Sequence, residues 1–135
     1  MNVLVDTSVW SLALRRAKRV ADSAPRELVE LVKEGRVVML GAVQQELLSG
    51  IREKAQFELL KERLRAFPNA ALDEEDYERA AEMFNQCRER GIQGSNTDFL
   101  ICAVAQRRQL SIFTRDNDFR SYGKVLKFAL HEERA

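Results

Sequence analysis

Five carboxylates of this 135-residue sequence stand where a short apolar segment ends or where a helix is expected to begin. They are Asp6, Glu46, Asp98, Asp116 and Asp118. Aspartate and glutamate without histidine or cysteine offer only hard oxygen ligands, which suit Mg²⁺ or Mn²⁺. Divalent ions that are held by carboxylates and share a substrate phosphate activate water for phosphodiester cleavage. If these acids meet in one site, the chemistry that they predict is metal-dependent hydrolysis.

The elements that would position these acids follow from the apolar pattern of the chain. Short apolar segments predict buried strands at 3–5, 37–40, 111–114 and 125–130. Helical spacing of apolar residues predicts helices at about 7–19, 25–34, 43–51, 55–66, 74–90 and 97–109, with a turn or short helix at 116–122. Segment 99–105 is apolar nearly all round, which indicates a central, buried helix.

Strands that alternate with helices predict a parallel or mostly parallel sheet covered by helices. Right-handed crossovers place every strand-to-helix turn at the same edge of such a sheet, and ligands bind there. Asp6 ends the first predicted strand, Glu46 lies in the first turns of the helix after the second, and Asp98 begins the buried helix. Asp116 and Asp118 follow the third strand, so we expect the acids of all four segments at that edge. Each acid alone has an ordinary explanation as a strand end, helix cap or turn residue. Together they would raise one another's pKa unless a cation compensated their charge.

Composition narrows the class of protein. A chain of 135 residues with 45% hydrophobic residues suits one domain, 1–135. Its net charge is only +1, whereas a protein that bound nucleic acid by charge alone would normally be more basic. Cys87, Cys102 and the single His131 lack the spacing of a zinc site or a disulfide scaffold. Because the sequence has no signal-peptide pattern and no apolar run of about 18 residues, we expect a cytoplasmic protein without a membrane partner.

Four segments resemble the motifs of PIN domains, particularly those of the VapC-type toxin ribonucleases. In VLVDTSVW (3–10) a strand ends in an acid, and in AVQQELLSG (42–50) an acid precedes Leu and then Gly. DFLICAVA (98–105) is similar to the third motif, and LSIFTRDNDF (110–119) to the fourth, in which a strand ends in Thr-x-Asp-x-Asp-Phe. The resemblance covers nearly the whole chain in the right order. Cys102 stands where Ala is commoner, and we expect it to affect packing only.

The resemblance implies a three-layer α/β/α PIN-like domain with a central, mostly parallel sheet. It also implies an Mg²⁺- or Mn²⁺-dependent endoribonuclease that cleaves RNA with a metal-activated water, forms a homodimer and is inhibited by a cognate VapB-like antitoxin protein, as the toxin of a type II toxin–antitoxin system. Carried over residue by residue, the catalytic and metal-binding acids are Asp6, Glu46, Asp98 and Asp116. Asp118 is then an auxiliary metal-binding acid, and the groups that support the acids by hydrogen bonds are Ser8, Asn96 and Thr114.

Several basic and apolar residues outside the acid motifs have two interpretations. The basic residues that either bind RNA phosphates or form a solvated surface are Arg15, Arg16, Lys18, Arg19, Arg115 and Arg120. Trp10 is expected in the core. The apolar stripe on the strongly charged helix at 55–66 is a candidate for the core, a dimer contact or an antitoxin groove, and it consists of Phe57, Leu60 and Leu64. The long helix at 74–90 is predicted to turn inward Tyr77, Ala80, Ala81 and Phe84.

Other protein classes gather acids at a sheet edge, but they need residues that this chain lacks. A phosphatase of the haloacid dehalogenase type needs a second Asp two residues after the first, where this chain has Ser8. A response-regulator receiver needs an Asp at the end of a middle strand, and the second predicted strand ends in Leu40 and Gly41. A P-loop is absent from the sequence. The alternative that stays open is a PIN-like domain that binds RNA or acts as a scaffold without catalysis.

Overall fold

Strands and helices alternate along the chain. The structure is a computed structural model, and it describes residues 1–14 and 22–134. The elements in chain order are β1 (Val3–Val5), α1 (Thr7–Leu14), α2 (Ala24–Lys33), β2 (Val37–Val38), α3 (Gly41–Leu48), α4 (Lys54–Leu64), α5 (Glu74–Glu89), α6 (Asn96–Arg108), β3 (Ser111–Phe113), α7 (Asp118–Tyr122) and β4 (Ala129–Leu130).

The four strands form one sheet in the order β2-β1-β3-β4, and every pair is parallel. Val3 lies opposite both Val37 and Ser111, and Ser111 lies opposite Ala129. The predicted sheet and α/β/α fold class are therefore confirmed. Since all strands point the same way, the residues that follow β1 and β3 emerge at the same edge of the sheet.

The core lies between the sheet and its helices. All residues of β1 and β3 are buried, as is the stretch 99–105 of α6, which confirms the predicted central helix. Helix α6 packs against α5, where the rings of Phe84 and Phe99 have centroids 5.6 Å apart. Trp10 is also buried, as predicted. None of the helices within residues 1–14 and 22–134 combines the length and the apolar character that a membrane span requires.

The last strand is shorter than the sequence predicted. Of segment 125–130, only Ala129–Leu130 pairs with β3. The backbone N–H groups of Val125 and Leu126 donate instead to the carbonyl oxygen of Tyr122, at 3.0 and 2.8 Å. These bonds close the turn that ends α7, and the apolar side chains at 125 and 126 pack against the core without joining the sheet.

The buried face of α5 also differs in part from the prediction. Ala80 is buried and Phe84 is half-buried, as expected, but Tyr77 is 56% exposed and Ala81 is exposed. The stripe that packs against α6 consists of Asp76, Ala80, Met83 and Cys87. Tyr77 and Ala81 each follow a member of this stripe by one residue, which turns them by about 100° around the helix axis and towards solvent.

Helix α5 begins at a cluster of acids that arginines balance, which we call the Asp76 cluster (Asp73, Asp76, Arg107 and Arg108). The carboxylate of Asp73 accepts a hydrogen bond from the N–H of Asp76 at 3.1 Å, and that of Asp76 accepts one from the N–H of Asp73 at 2.9 Å. Asp76 is fully buried and pairs with Arg107 at 2.6 Å and Arg108 at 2.7 Å. Burial by itself raises the pKa of Asp76, but the Asp73 N–H and the two guanidinium groups outweigh it and hold the pKa below its usual value.

Candidate metal centre

Asp6 directly follows β1, and hydrogen bonds fix one of its two carboxylate oxygens. The residue is only 4% exposed. The hydroxyl groups of Ser8 and Thr114 donate to the same carboxylate oxygen, Oδ2, at 2.7 and 2.8 Å. Among the described residues, no side chain hydrogen-bonds to the other oxygen, Oδ1. This carboxylate is therefore fixed in place with one oxygen available to a ligand.

Asp98 lies in the first turn of α6. Its backbone N–H donates to Oγ of Ser95, the residue that caps the helix, at 3.1 Å. Its carboxylate oxygen Oδ2 accepts a hydrogen bond of 2.6 Å from the phenol of Tyr122. Burial raises the pKa of Asp98, the Tyr122 hydrogen bond opposes that rise, and the negative charges of Asp6 and Asp116 add to it.

Asp116 and Asp118 follow β3 in a tight turn. The N–H of Asp116 donates to Oγ1 of Thr114 at 2.9 Å, and the N–H of Asp118 donates to Oδ1 of Asp116 at 2.9 Å. Carboxylate oxygens of Asp98, Asp116 and Asp118 lie within 4.8 Å of one another. Asp6 is not part of this group of three, but its negative charge raises the pKa of Asp98. We call the three residues together with Asp6 the acid pocket.

Glu46 occupies a different position. It is exposed on α3, and its Oε1 accepts a hydrogen bond of 2.7 Å from the hydroxyl of Thr7. Thr7 directly follows Asp6, so Glu46 reaches the end of β1. The structure does not include Glu46 in the group formed by Asp98, Asp116 and Asp118.

The three residues expected to support the acids separate into two groups. Ser8 and Thr114 both bind Asp6, and Ser8 also accepts the backbone N–H of Arg115 at 3.0 Å. Asn96 is exposed at the start of α6, beside a mostly apolar cavity of about 460 Å³ between α5 and α6. Within the described residues, the structure gives Asn96 no side-chain hydrogen bond to the acid pocket.

The basic residues predicted near the RNA differ in their surroundings. The guanidinium of Arg115 forms ion pairs with Asp22 at 2.9 Å and Glu133 at 2.7 Å, so two carboxylates already engage it. Arg120 is exposed on α7. The other four, Arg15, Arg16, Lys18 and Arg19, lie outside the described residues.

Three residues of this region were not singled out from the sequence as part of the site. They are Thr7, which binds Glu46, Tyr122, which binds Asp98, and Gly94, which packs against the Tyr122 hydroxyl. For Thr7, the position next to Asp6 is a usable signal. For Tyr122 and Gly94 the sequence offers no signal, because neither lies in the four segments that resemble PIN motifs and only the fold brings them to Asp98.

The chemistry of the donor set fits a divalent cation. The acid pocket supplies only carboxylate oxygens, and within 1–14 and 22–134 no lysine or arginine side chain forms an ion pair with any of its four acids. Mg²⁺ and Mn²⁺ prefer such oxygen ligands. The residues that would hold the ion are Asp98, Asp116 and Asp118, with the unengaged oxygen of Asp6.

Comparisons with solved structures agree with the fold. The structure is similar to VapBC2 from Rickettsia felis bound to a DNA fragment from its promoter, with 17% identity, a TM-score of 0.76, and 97% of this chain and 98% of that chain covered. FitAcB from Neisseria gonorrhoeae is similar at 20% identity and a TM-score of 0.68, with 96% of each chain covered. VapBC-1 from nontypeable Haemophilus influenzae is similar at 17% identity and a TM-score of 0.73, with 93% of this chain and 96% of that chain covered.

These likenesses to solved structures concern the fold, whereas the sequence itself identifies the family. None of the curated proteins compared with the sequence matches it. The family model for the PIN domain matches residues 3–125, a span that contains all four acids of the pocket. The chain therefore belongs to the PIN domain family.

Proposed function

We propose that this protein is a metal-dependent endoribonuclease and the toxin of a type II toxin–antitoxin system. PIN domains are generally nucleases, and they usually use a divalent metal. The observation that carries the proposal is the group of carboxylate oxygens from Asp98, Asp116 and Asp118 within 4.8 Å, without an ion-paired cation among the described residues. Carboxylates this close repel one another, and a bound divalent cation would offset that repulsion.

Three sets of hydrogen bonds orient the acids of this pocket. Ser8 and Thr114 fix one oxygen of Asp6, which leaves the other for a ligand. The turn after β3 holds Asp116 and Asp118 by backbone hydrogen bonds, and the α6 cap places Asp98 opposite them. When bound, a divalent ion supplies the positive charge that activates a water molecule and stabilises the charge that develops on the phosphate. Glu46 adds a further carboxylate near Asp6 through its bond to Thr7.

RNA is proposed as the substrate on the strength of the motif resemblance. Exposed Arg120 and the basic run at 15–19 are the proposed contacts for its phosphates. Arg115 is a weaker candidate, because an RNA phosphate would have to displace Asp22 or Glu133 from its guanidinium. Comparing the rates of cleavage in Mg²⁺ and in Mn²⁺ distinguishes between the two candidate ions.

A homodimer and a VapB-like antitoxin are the proposed protein partners, and the cytoplasm is the proposed location. The similar solved structures include one described as a member of the VapBC family of toxin–antitoxin systems, from Mycobacterium tuberculosis, at 19% identity. On this chain, Leu64 is buried while Phe57 and Leu60 are half-buried on α4, and Leu59 is 51% exposed. The exposed part of α4 is the surface proposed for a partner helix.

The test is cleavage of RNA by the purified protein in Mg²⁺ or Mn²⁺, with and without EDTA. We expect cleavage in at least one metal, its loss in EDTA, and a decrease of about a thousandfold in Asp6→Asn, or about 4 kcal/mol of transition-state stabilisation. Asp73→Asn is the matched control, because it makes the same chemical change outside the acid pocket and Asn also caps helices well. Its rate should equal that of the wild type.

Three results would contradict the proposal or part of it. Cleavage that continues in EDTA would show that the reaction does not need a metal. Unchanged turnover in Asp6→Asn would show that Asp6 is not part of the site. Tight RNA binding without cleavage in either metal would instead support a domain that binds RNA without catalysis.

A further inference from the structure

The phenol of Tyr122 is an unexpected neighbour of the acid pocket. Tyr122 is fully buried, and its ring packs against those of Phe99 and Phe119 with centroids 4.8 and 5.2 Å away. Its hydroxyl donates a hydrogen bond of 2.6 Å to Oδ2 of Asp98. The two aromatic contacts leave the ring little freedom to move, so the position of the hydroxyl relative to Asp98 is fixed.

Gly94 makes room for this hydroxyl. A Cβ atom at position 94 would lie 2.3 Å from the Tyr122 hydroxyl oxygen and 2.7 Å from Cζ of the ring. The backbone of Gly94 does not have the positive φ seen at Gly35, Gly50 and Gly91. The close approach of Tyr122, and not the backbone conformation, is therefore what excludes a side chain at position 94.

The hydrogen bond changes what the Asp98 carboxylate can do. The terminal torsion of an aspartate is broad, so an unsupported carboxylate rotates easily. A fixed donor on Oδ2 stops this rotation, and the lone pairs of Oδ1 remain for a cation. A tyrosine hydroxyl also adds no charge, so it orients Asp98 without neutralising the pocket as an arginine would.

We propose that Tyr122 is a positioning residue that fixes the Asp98 carboxylate for a divalent cation, and that Gly94 is required for the Tyr122 hydroxyl to reach it. This inference rests on the proposed function, because it assigns a role in the metal site proposed there. Groups that orient metal ligands in this way typically account for a factor of 10–100 in metal affinity. Loss of the Tyr122 hydroxyl should therefore weaken metal binding without preventing the protein from folding.

The experiment is calorimetric titration of the metal-free protein with Mn²⁺, at a pH where the pocket acids are ionised. Tyr122→Phe removes only the hydroxyl and keeps the packed ring, and we expect its Kd for Mn²⁺ to be roughly 10–100 times that of the wild type. Gly94→Ala keeps the hydroxyl but displaces it, so it should weaken binding in the same direction. Tyr77→Phe is the matched control, since Tyr77 is the other of the two tyrosines and its side chain is 56% exposed.

Thermal unfolding of each metal-free variant separates positioning from folding. We expect all variants to unfold cooperatively and Tyr77→Phe to bind Mn²⁺ as the wild type does. Unchanged or tighter Mn²⁺ binding by Tyr122→Phe would overturn the inference and leave the proposed function intact, even if that variant melted at a lower temperature. Failure of the wild type to bind Mn²⁺ would overturn the proposed metal site, and this inference with it.

Discussion

Helix α6 carries an acid in its first turn and two arginines in its last, and the charges around the two ends differ. At its N-terminus, Asp98 joins the acid pocket, where no arginine or lysine forms an ion pair among the described residues. At its C-terminus, Arg107 and Arg108 reach Asp76, which is fully buried between them. The acid pocket thus collects aspartates from separate segments and the Asp76 cluster takes its two from the start of α5, but only the Asp76 cluster includes a balancing positive charge.

The balancing charge distinguishes an acid whose ionised form stabilises the fold from one whose ionised form does not. Asp76 has a pKa below its usual value, because its backbone and arginine donors outweigh the effect of burial. Asp98 has a pKa above its usual value, because burial and the charges of Asp6 and Asp116 outweigh the hydrogen bond from Tyr122. The ionised form of Asp76 therefore favours folding, whereas the ionised form of Asp98 disfavours it in the metal-free protein.

The largest effect on stability is expected from breaking the Asp76 cluster. Asp76→Asn keeps the size of the side chain but leaves Arg107 and Arg108 without their buried partner. Loss of one member of a buried ion pair costs about 3–5 kcal/mol, and we expect about 3 kcal/mol here because both arginines remain partly exposed. Chemical denaturation measures this change, which corresponds to a decrease of roughly 10 °C in the melting temperature. A variant as stable as the wild type would show that the cluster contributes nothing to folding.

A slightly smaller effect is expected from adding metal to the acid pocket. At an Mn²⁺ concentration of about 100 times Kd, binding should stabilise the wild type by about 2.7 kcal/mol, and Asp76→Asn should gain the same amount. Asp98→Asn should lose most of this gain. In the absence of metal, Asp98→Asn should be at least as stable as the wild type, because the substitution removes one of several like charges.

Thermal unfolding of the three proteins with and without Mn²⁺ tests this prediction. A lower melting temperature for metal-free Asp98→Asn than for the metal-free wild type would contradict it. That result would show that Asp98 serves mainly to stabilise the start of α6.

The smallest effect is expected from mild acid, and again it concerns the Asp76 cluster. The pKa of Asp76 is lower in the folded protein than the value of 3.8 for a free side chain, so its contribution to stability is present well above pH 4 and is lost as the pH falls. The difference in unfolding free energy between the wild type and Asp76→Asn should shrink by up to about 0.4 kcal/mol between pH 7 and pH 3.8, and further below that pH. Denaturation of both proteins between pH 7 and pH 3.8 measures this difference in unfolding free energy. A difference that grows as the pH falls would contradict the prediction.

Most of the fold and part of the site could be predicted from the sequence. The strands at 3–5 and 111–113 are short, fully buried and each followed by an acid, so parallel topology alone predicts that Asp6 and Asp116 share an edge. Similar reasoning predicts that Asp98 lies at this edge, because a helix that is apolar on all sides must be central and Asp98 is in its first turn. It does not find the Asp76 cluster, since Asp73 and Asp76 look like ordinary residues of a charged helix until the fold brings Arg107 and Arg108 to them.

The parts that could not be predicted depend on side-chain directions and on long-range contacts. The motif resemblance ranks Glu46 among the principal acids and Asp118 as auxiliary, whereas the structure groups Asp118 with Asp98 and Asp116 and pairs Glu46 with Thr7. Tyr122 is separated from Asp98 by 24 residues, so no local pattern reveals their hydrogen bond. Segment 125–130 has the composition of a strand, but the backbone N–H groups of Val125 and Leu126 donate to the carbonyl oxygen of Tyr122 instead of pairing with the sheet.

A crystal structure of the protein soaked in Mn²⁺, with the ion located by its anomalous scattering, tests the central claim most directly. The account predicts a peak in the acid pocket, about 2.1 Å from carboxylate oxygens of at least two of Asp6, Asp98, Asp116 and Asp118, and no peak at Asp76. An acid pocket without a peak at saturating Mn²⁺, or an ion bound only at carboxylates outside it, would contradict the claim that these acids lack a balancing charge because a metal supplies it.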